Sequence, residues 1–342
     1  MLAPVIDTLS SMDLVDADLS GRDLSGVSLA GRDLSGANLT DTNLAGALLT
    51  AATFTNAVFT RTNLRNAVLT HADLAGVDLT KAHVAGADFS EANLCDALLD
   101  KLDLTGAKFE LAQLQRAALR GVTAPGVSFV DADLKDCNLS RSDLRGADLR
   151  SALLRATILI DANLSGADLR SIIGESCVAA GADFTRANLG AARLYASDLS
   201  AAQLVAADLT GADVQRSTLS DANLTDAVAI DAQFDFADLR AARLTRTNFL
   251  RASLVGAEHA GAIFEATDLR EADLYWTRLT AAALQSCCTR HVRWPERVEL
   301  PFGPKDAKAP RIEAKPMHVL PLGDAERRER ASARPAAKVG RP

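Results

Sequence analysis

A period of five residues runs through most of this 342-residue chain. Starting at Leu9 and stepping by five, the frame reaches Leu284 without an insertion or deletion. Of its 56 positions, 40 are Leu, nine are Phe and two are Val. Two residues before the frame position Ala occurs 35 times, and immediately before it Asp or Asn occurs 28 times. Self-similarity at a fixed period predicts a repeat protein in which neighbouring units share one core.

A period of five fits neither an α-helix, at 3.6, nor a plain β-strand, at 2. It does fit a short extended stretch followed by a turn. The Ala and the Leu lie two residues apart, so in extended backbone both side chains point to the same side, and the Asp or Asn between them points outward. The other two positions, rich in Ser, Thr, Gly and Arg, form the turn. Because one coil buries too few side chains to offset its ordering entropy, stability must come from stacking coils.

The tandem pattern A(D/N)Lxx, as in Ala17-Asp18-Leu19 and Ala37-Asn38-Leu39, resembles the pentapeptide-repeat proteins over residues 7–286. The resemblance implies an all-β fold, a right-handed quadrilateral β-helix with four repeats per coil. On that basis 56 repeats make about 14 coils. Residues 20 apart would stack in columns, which predicts a core ladder of Phe89, Phe109 and Phe129 with ring centroids about 4.5–7 Å apart.

The chain is expected to have four parts. Residues 1–8 would form an N-terminal cap, 9–286 the β-solenoid and 287–302 a C-terminal cap, since a solenoid otherwise exposes its core at each end. Residues 303–342 would be a disordered, flexible, basic tail, because eight of the ten prolines lie in 285–342 and few apolar residues do. Charge divides the same way: residues 1–284 carry 24 Lys and Arg against 37 Asp and Glu, and residues 285–342 carry 13 against 7.

A few frame positions lack a large apolar residue. At two of them the preceding inward position is enlarged instead: Val122 precedes Ala124, and Ile172 precedes Gly174. Summed core volume is thereby kept roughly constant, which is the tolerated way to change a core. Local distortion is still expected around residues 121–126 and 171–180.

Catalytic, cofactor and metal sites are not predicted. The five histidines are isolated, and His259, in an inward slot, is expected to be buried and neutral. Cys287, Cys288 and His291 offer no fourth ligand for tetrahedral zinc. The first residues show no signal peptide, no stretch is long and apolar enough to span a membrane, and five scattered cysteines fit a reducing compartment, so a cytoplasmic protein is expected.

Outward-facing aromatic residues mark a candidate protein interface, because exposed aromatics are enriched at interfaces. Tyr195, Tyr275 and Trp276 take turn positions, and Trp294 lies in the segment that follows the last repeat. The alternative is that Val292–Phe302 folds back and buries these rings within the chain. The sequence therefore predicts a non-enzymatic interaction scaffold, a docking rod for a protein partner that it does not identify.

Two other functions stay open. Some pentapeptide-repeat proteins mimic DNA and regulate or protect a type II topoisomerase, and the acidic repeats allow this, although Arg120, Arg150, Arg170 and Arg240 would interrupt a negative stripe. Others are adaptors or cargo-associated proteins of bacterial secretion systems. Direct nucleic-acid binding is not favoured for so acidic a body. The oligomeric state is left open.

Overall fold

A computed structural model of the chain describes residues 12–279 and 284–294. The predicted N-terminal cap (1–8), the second half of the predicted C-terminal cap (295–302) and the predicted tail (303–342) lie outside the described residues. Each repeat contributes a single bridging residue rather than a longer strand, and each bridge is parallel. The series begins with Asp18 paired to Asn38 and ends with Asp273 paired to Arg293. Bridged residues are always 20 apart, so four repeats separate neighbours in adjacent coils.

Two backbone hydrogen bonds hold a typical bridge. The Leu19 N–H donates to Asn38 O at 3.0 Å, and the Asn38 N–H donates to Ala17 O at 3.0 Å. The fold is therefore a β-solenoid in which every coil is bonded to the coil before it and the coil after it. These ladders satisfy the backbone groups that burial would otherwise leave without a partner.

The turns explain the other two positions of the repeat. In the turn Leu14–Ala17 the Ala17 N–H donates to Leu14 O at 3.3 Å, and Asp16 has a φ of 53°. A positive φ at the third residue is the signature of a type II turn and favours Gly, Asn and Asp. The outward Asp fixes the next turn, because its side-chain oxygen accepts the N–H two residues on, as Asp18 does from Ser20 at 3.1 Å. Thus the Asp or Asn of the motif has a structural role: its side chain bonds the backbone of the following turn.

The core is a narrow column of frame residues and the small residues two positions before them. Leu144 and Ala147 are fully buried, as most of their equivalents are. The three predicted Phe stack in one column: ring centroids of Phe89 and Phe109 are 5.1 Å apart, and those of Phe109 and Phe129 are also 5.1 Å apart. This geometry matches the expectation from their twenty-residue spacing.

Polar residues in the small slot are accommodated by one recurring bond. The Thr62 hydroxyl donates to Leu39 O at 2.7 Å, and the Ser217 hydroxyl donates to Leu194 O at 2.6 Å. The Cys137 thiol does the same to Leu114 O at 2.7 Å. In each case the acceptor lies 23 residues earlier. A buried hydroxyl or thiol is therefore satisfied without disturbing the ladder.

The expected distortions at 121–126 and 171–180 are wrong. The bridges Thr123–Asp143 and Ile173–Arg193 are both present. The space left by the missing side chain at Gly174 is filled, because Leu194 Cδ2 lies 3.0 Å from the position that a Cβ on Gly174 would take. Breaks in the bridge series occur elsewhere among the described residues, namely at Val58–Asp78, His83–Asp103 and Glu258–Arg278.

The solenoid pattern also continues past residue 286, where the sequence analysis ended it. Cys288 bridges to Asp268 and Arg293 bridges to Asp273, both in the same register. Val292 takes the small inward slot and is buried. Residues 287–294, within the segment expected to form the C-terminal cap, therefore continue the register of the solenoid. The described residues form no helix of the length and apolarity needed to cross a bilayer.

Candidate interaction surface

The candidate interaction surface is built on the turn that follows Leu274. Tyr275 and Trp276 are its two central residues, and Trp276 has a φ of 63°. Turn side chains point away from the core, so both rings lie on the outside of the coil. Their centroids are 5.3 Å apart with an interplanar angle of 28°, and Trp276 is 63% exposed. A stacked aromatic pair thus stands on the surface near the last described coil.

Arg293, from the next coil, holds the outer face of Tyr275. Its guanidinium carbon lies 5.0 Å from the Tyr275 ring centroid, and its Nη1 donates to Asp273 at 2.7 Å. A cation above an aromatic face is attracted by the ring quadrupole. Arg293 therefore contacts one face of Tyr275, while Trp276 stays open to solvent.

Phe236 belongs to the same surface and was missed by the sequence analysis. It is 49% exposed, has a φ of 57° and lies two coils before Trp276 in one column of turn residues. Between them is Gly256, where a Cβ would lie only 2.7 Å from the Phe236 ring. The ring of Phe236 therefore rests over backbone that only glycine leaves clear. The signal was available, because Phe236 is the one Phe of the array that falls off the five-residue frame.

Phe236 has its own cation. The guanidinium carbon of Arg216 lies 5.7 Å from the Phe236 ring centroid. Arg216, Phe236, Gly256 and Trp276 follow one another at intervals of twenty residues. At about 4.8 Å per coil, Phe236 and Trp276 are separated by roughly 10 Å along the solenoid. We call Phe236, Tyr275 and Trp276 the aromatic corner.

Two predicted interface residues are not part of the aromatic corner. Tyr195 is 39% exposed and lies in the column of Tyr275, but four coils earlier, with Gln215, Asp235 and Val255 between them. Trp294 is half-buried and packs against the hydrophobic core. Its frame position points inward, and the partly exposed indole stays a candidate interface residue.

Burial keeps the titratable side chains inside the solenoid in their uncharged forms. Burial raises the pKa of Cys137 to about 12 and that of Cys177 to about 11, so both thiols stay protonated at neutral pH. Burial also lowers the pKa of His259, whose Nε2 is buried without a hydrogen-bond partner. Among the described residues, no group of three or more His, Cys, Asp or Glu could hold a metal ion.

Three of the four arginines that were expected to interrupt a negative stripe form ion pairs. The side chains of Arg150, Arg170 and Arg240 each bond to the Asp two residues earlier, at 2.7, 2.6 and 2.6 Å respectively. The arginine hydrogen bond is the main cause that lowers the pKa of each of these carboxyl groups. Carboxylate charge on these faces is therefore locally neutralised.

Comparison with known proteins agrees with the repeat. The family model for pentapeptide repeats matches overlapping segments that cover residues 13–171 and 180–285. No curated protein sequence matches the chain.

Among solved structures, the chain is similar to HetL, a pentapeptide repeat protein involved in heterocyst differentiation regulation in the cyanobacterium Nostoc. The identity is 26% over 79% of this chain and 95% of that chain, and the TM-score is 0.39. It is similar to the plasmid-mediated fluoroquinolone resistance protein QnrB1 with 15% identity, over 75% and 90% of the two chains, and a TM-score of 0.22. It is also similar to Rfr23 of the cyanobacterium Cyanothece with 27% identity, over 34% and 63%, and a TM-score of 0.17. With the family model matching most of its length, the chain belongs to the pentapeptide-repeat family.

Proposed function

We propose that the chain is a non-enzymatic scaffold that binds a protein partner through the aromatic corner. Pentapeptide-repeat proteins are generally structural or interaction proteins. The observation that carries the proposal is Trp276, 63% exposed and stacked on Tyr275 in a chain with only 4% aromatic residues. Exposed aromatic anchors surrounded by charges are the usual composition of a binding hot spot.

The scaffold itself supports this role. We propose that it is a right-handed, four-sided β-helix of about 14 coils, extrapolating the twenty-residue bridge interval over the 56 frame positions. The bridges from Ser253 to Asp273 and from Asp273 to Arg293 hold the backbone beside Tyr275 and Trp276 in place, so ring orientation is pre-organised and little side-chain entropy is lost on binding. Five free cysteines support a cytoplasmic location.

A matched pair of variants tests the aromatic corner. Phe236→Ser with Trp276→Ser removes two exposed rings, and Tyr195→Ser removes an equally outward ring far from the corner. With the tagged full-length chain as bait, proteins captured by the unaltered chain and by Tyr195→Ser should be lost from the double variant, at an unchanged unfolding midpoint. Capture of the same partners by the double variant would contradict the proposal.

DNA mimicry is the competing function, and the purified protein can be tested for it directly. The paired arginines argue against a continuous negative stripe along the Arg150, Arg170 and Arg240 faces. We therefore expect the purified protein neither to inhibit supercoiling by gyrase nor to protect it from a quinolone. Either effect at low micromolar concentration would favour the mimic instead.

A further inference from the structure

The turn at Lys81 is the one irregular turn between residues 16 and 276. At every fifth residue over this range φ is positive, for example 68° at Gly76 and 72° at Gly86, but Lys81 is an exception. The hydrogen bonds shift with it. Arg61 N–H donates to Lys81 O at 3.1 Å, whereas the equivalent Asp41 N–H donates to the residue one position earlier in its repeat, Thr60.

The ladder is open on both sides of this turn, before it at Val58–Asp78 and directly after it at His83–Asp103. The bridge between His83 and Asp103 is absent, although bridges occur on both sides of it in the next coils. In a regular coil the Val84 N–H would donate to Asp103 O and the Asp103 N–H to Ala82 O. Neither donor makes these or any other hydrogen bond among the described residues. Two backbone donors are therefore available at this opening, and such groups strongly favour an acceptor.

Leu102 supplies a physical reason for the opening. It occupies the small inward slot, where Ala is the commonest residue, and it is buried next to Leu104 in the same repeat. Two leucines in one repeat need more room than the usual Ala and Leu. Extra volume in a well-packed core is relieved by backbone shifts, and the gap lies between Leu102–Leu104 and the facing residues 82–84, while His83 keeps its bridge to Asn63 and Asp103 its bridge to Thr123.

Cations line the resulting cleft, which has a volume of about 250 Å³. Arg65, Lys81 and Lys101 contribute to its wall together with His83 and one acid, Asp103. Within the described residues none of the three cations lies within ion-pair distance of a carboxylate, whereas Arg61 close by is paired with Asp41. The Asp103 carboxylate is occupied by its own turn, because it accepts the Thr105 N–H at 3.0 Å.

We propose that this cleft binds the phosphate group of a small phosphorylated molecule. A phosphate oxygen accepts hydrogen bonds from backbone N–H groups and from Lys and Arg together, and exposed backbone donors beside cations form the usual anion-binding concavity. Residues 12–110 carry 14 Asp and Glu against 7 Lys and Arg, so a pocket lined by three cations there stands out from an otherwise acidic surface. The ligand would bind at a distance from the aromatic corner, independently of the protein partner.

Backbone amide NMR on the full-length chain tests this site. Inorganic phosphate is titrated against sodium chloride at equal ionic strength, and a nucleoside triphosphate forms a second arm that separates free phosphate from a phosphate ester as the preferred ligand. The amide signals of Val84 and Asp103 should shift saturably with at least one phosphate probe and not with chloride. Absence of saturable shifts with both probes would overturn the proposal.

Variants then separate charge from geometry. Lys81→Gln with Lys101→Gln should weaken phosphate binding on the order of tenfold, as expected for two partly exposed charge contacts. Lys108→Gln, a matched lysine outside the cleft, should leave it unchanged. Leu102→Ala keeps every cation but removes the wedge, so the ladder should close and binding should fall by a similar factor. Equal weakening by Lys108→Gln, or full binding by the double Gln variant, would show non-specific attraction and refute the site.

Discussion

Residues 12–110 and residues 111–279 share one core and carry different surfaces. In both, Leu, Phe and Ala fill the inward positions, and outward Asp residues accept the N–H two residues on, as Asp33 does from Ser35 and Asp168 from Arg170. In the first region two of 14 carboxylates pair with an arginine; in the second, 12 of 22 pair with Arg or Lys.

The pKa values of the Asp residues show what that difference means. The Ser35 hydroxyl is the main cause that lowers the pKa of Asp33, whereas the Arg170 guanidinium is the main cause for Asp168. The backbone cap is therefore common to both regions, and the arginine is an addition to it. The inward residues and the Asp side chains that bond the turn specify the coil, while the two turn residues after the Leu supply most of the paired cations on the surface.

The largest expected effect tests the shared core. Leu74→Asp and Leu144→Asp each place a charge at a fully buried position, one in each region, and each should cost about 3–5 kcal/mol in the free energy of unfolding. Denaturant titration followed by circular dichroism measures this.

The neighbouring outward residues provide the matched controls. Asp73→Ala and Asp143→Ala remove only a turn cap and should cost about 0.5–1.5 kcal/mol. Losses as large as those of the Leu variants would show that inward and outward positions have been exchanged.

The Phe ladder crosses the boundary between the two regions, so cutting it tests whether they unfold together. Phe109→Ala should cost about 3–5 kcal/mol, because it leaves a cavity between two stacked rings. Phe109→Leu restores the commonest residue of the frame and should cost under about 1.5 kcal/mol. Two separate unfolding transitions in Phe109→Ala, but not in Phe109→Leu, would show that the ladder couples the regions; equal behaviour of both variants would deny it.

Acid should weaken the second region selectively, because its core contains His259. Burial lowers the pKa of His259 below its ordinary value of 6.5, with nearby Glu258 opposing the shift. The unfolded chain therefore takes up this proton first, and stability is lost as the pH falls through 6.5 and is unaffected above it. Unfolding midpoints between pH 7.5 and 5 measure the loss, which His259→Leu should reduce. An unchanged pH dependence in that variant would exclude His259 as the cause.

The smallest expected effect comes from removing arginines from residues 111–279, so that their surface resembles that of residues 12–110. Arg150→Gln, Arg170→Gln and Arg240→Gln together remove arginines from exposed pairs, which contribute little to stability because solvent screens them. The folded state should survive, and its stability should become less sensitive to salt since screening acts on the removed attractions. A large loss in the free energy of unfolding at low salt would mean that the fold depends on these pairs.

Much of the fold could be predicted from the sequence because the repeat is redundant. The inward pattern recurs over 56 frame positions, so a few local exceptions do not obscure it. The twenty-residue spacing of Phe89, Phe109 and Phe129 correctly predicted their stacked column. The irregular turn at Lys81 was not foreseen, since Lys101 at the equivalent position of the next coil has the regular positive φ of 62°. What differs is packing: the consequence of Leu102 depends on the strand one coil away, which a five-residue pattern does not describe.

The candidate site was predicted only in part for a similar reason. Tyr275 and Trp276 are adjacent in the sequence and were found by their outward positions, but Phe236 joins them only when turn residues are compared at intervals of twenty. The frame was ended at Leu284, whereas the bridge at Arg293 carries the register on to the partly buried Trp294, which packs against the core.

The twenty-residue interval between neighbours is the central claim, and disulfide cross-linking tests it most directly. Bridged residues in parallel neighbouring strands have Cα atoms about 5 Å apart, within the range that a disulfide spans. The pairs Asn43→Cys with Asn63→Cys and Asp143→Cys with Asn163→Cys probe the two regions, and pairs 15 apart, Asn43→Cys with Val58→Cys and Asp143→Cys with Ile158→Cys, are the controls. Under mild oxidation, peptide mapping should find the cross-link in both pairs 20 apart and in neither control. Cross-links in the pairs 15 apart, or in only one region at 20, would contradict a single solenoid with four repeats per coil.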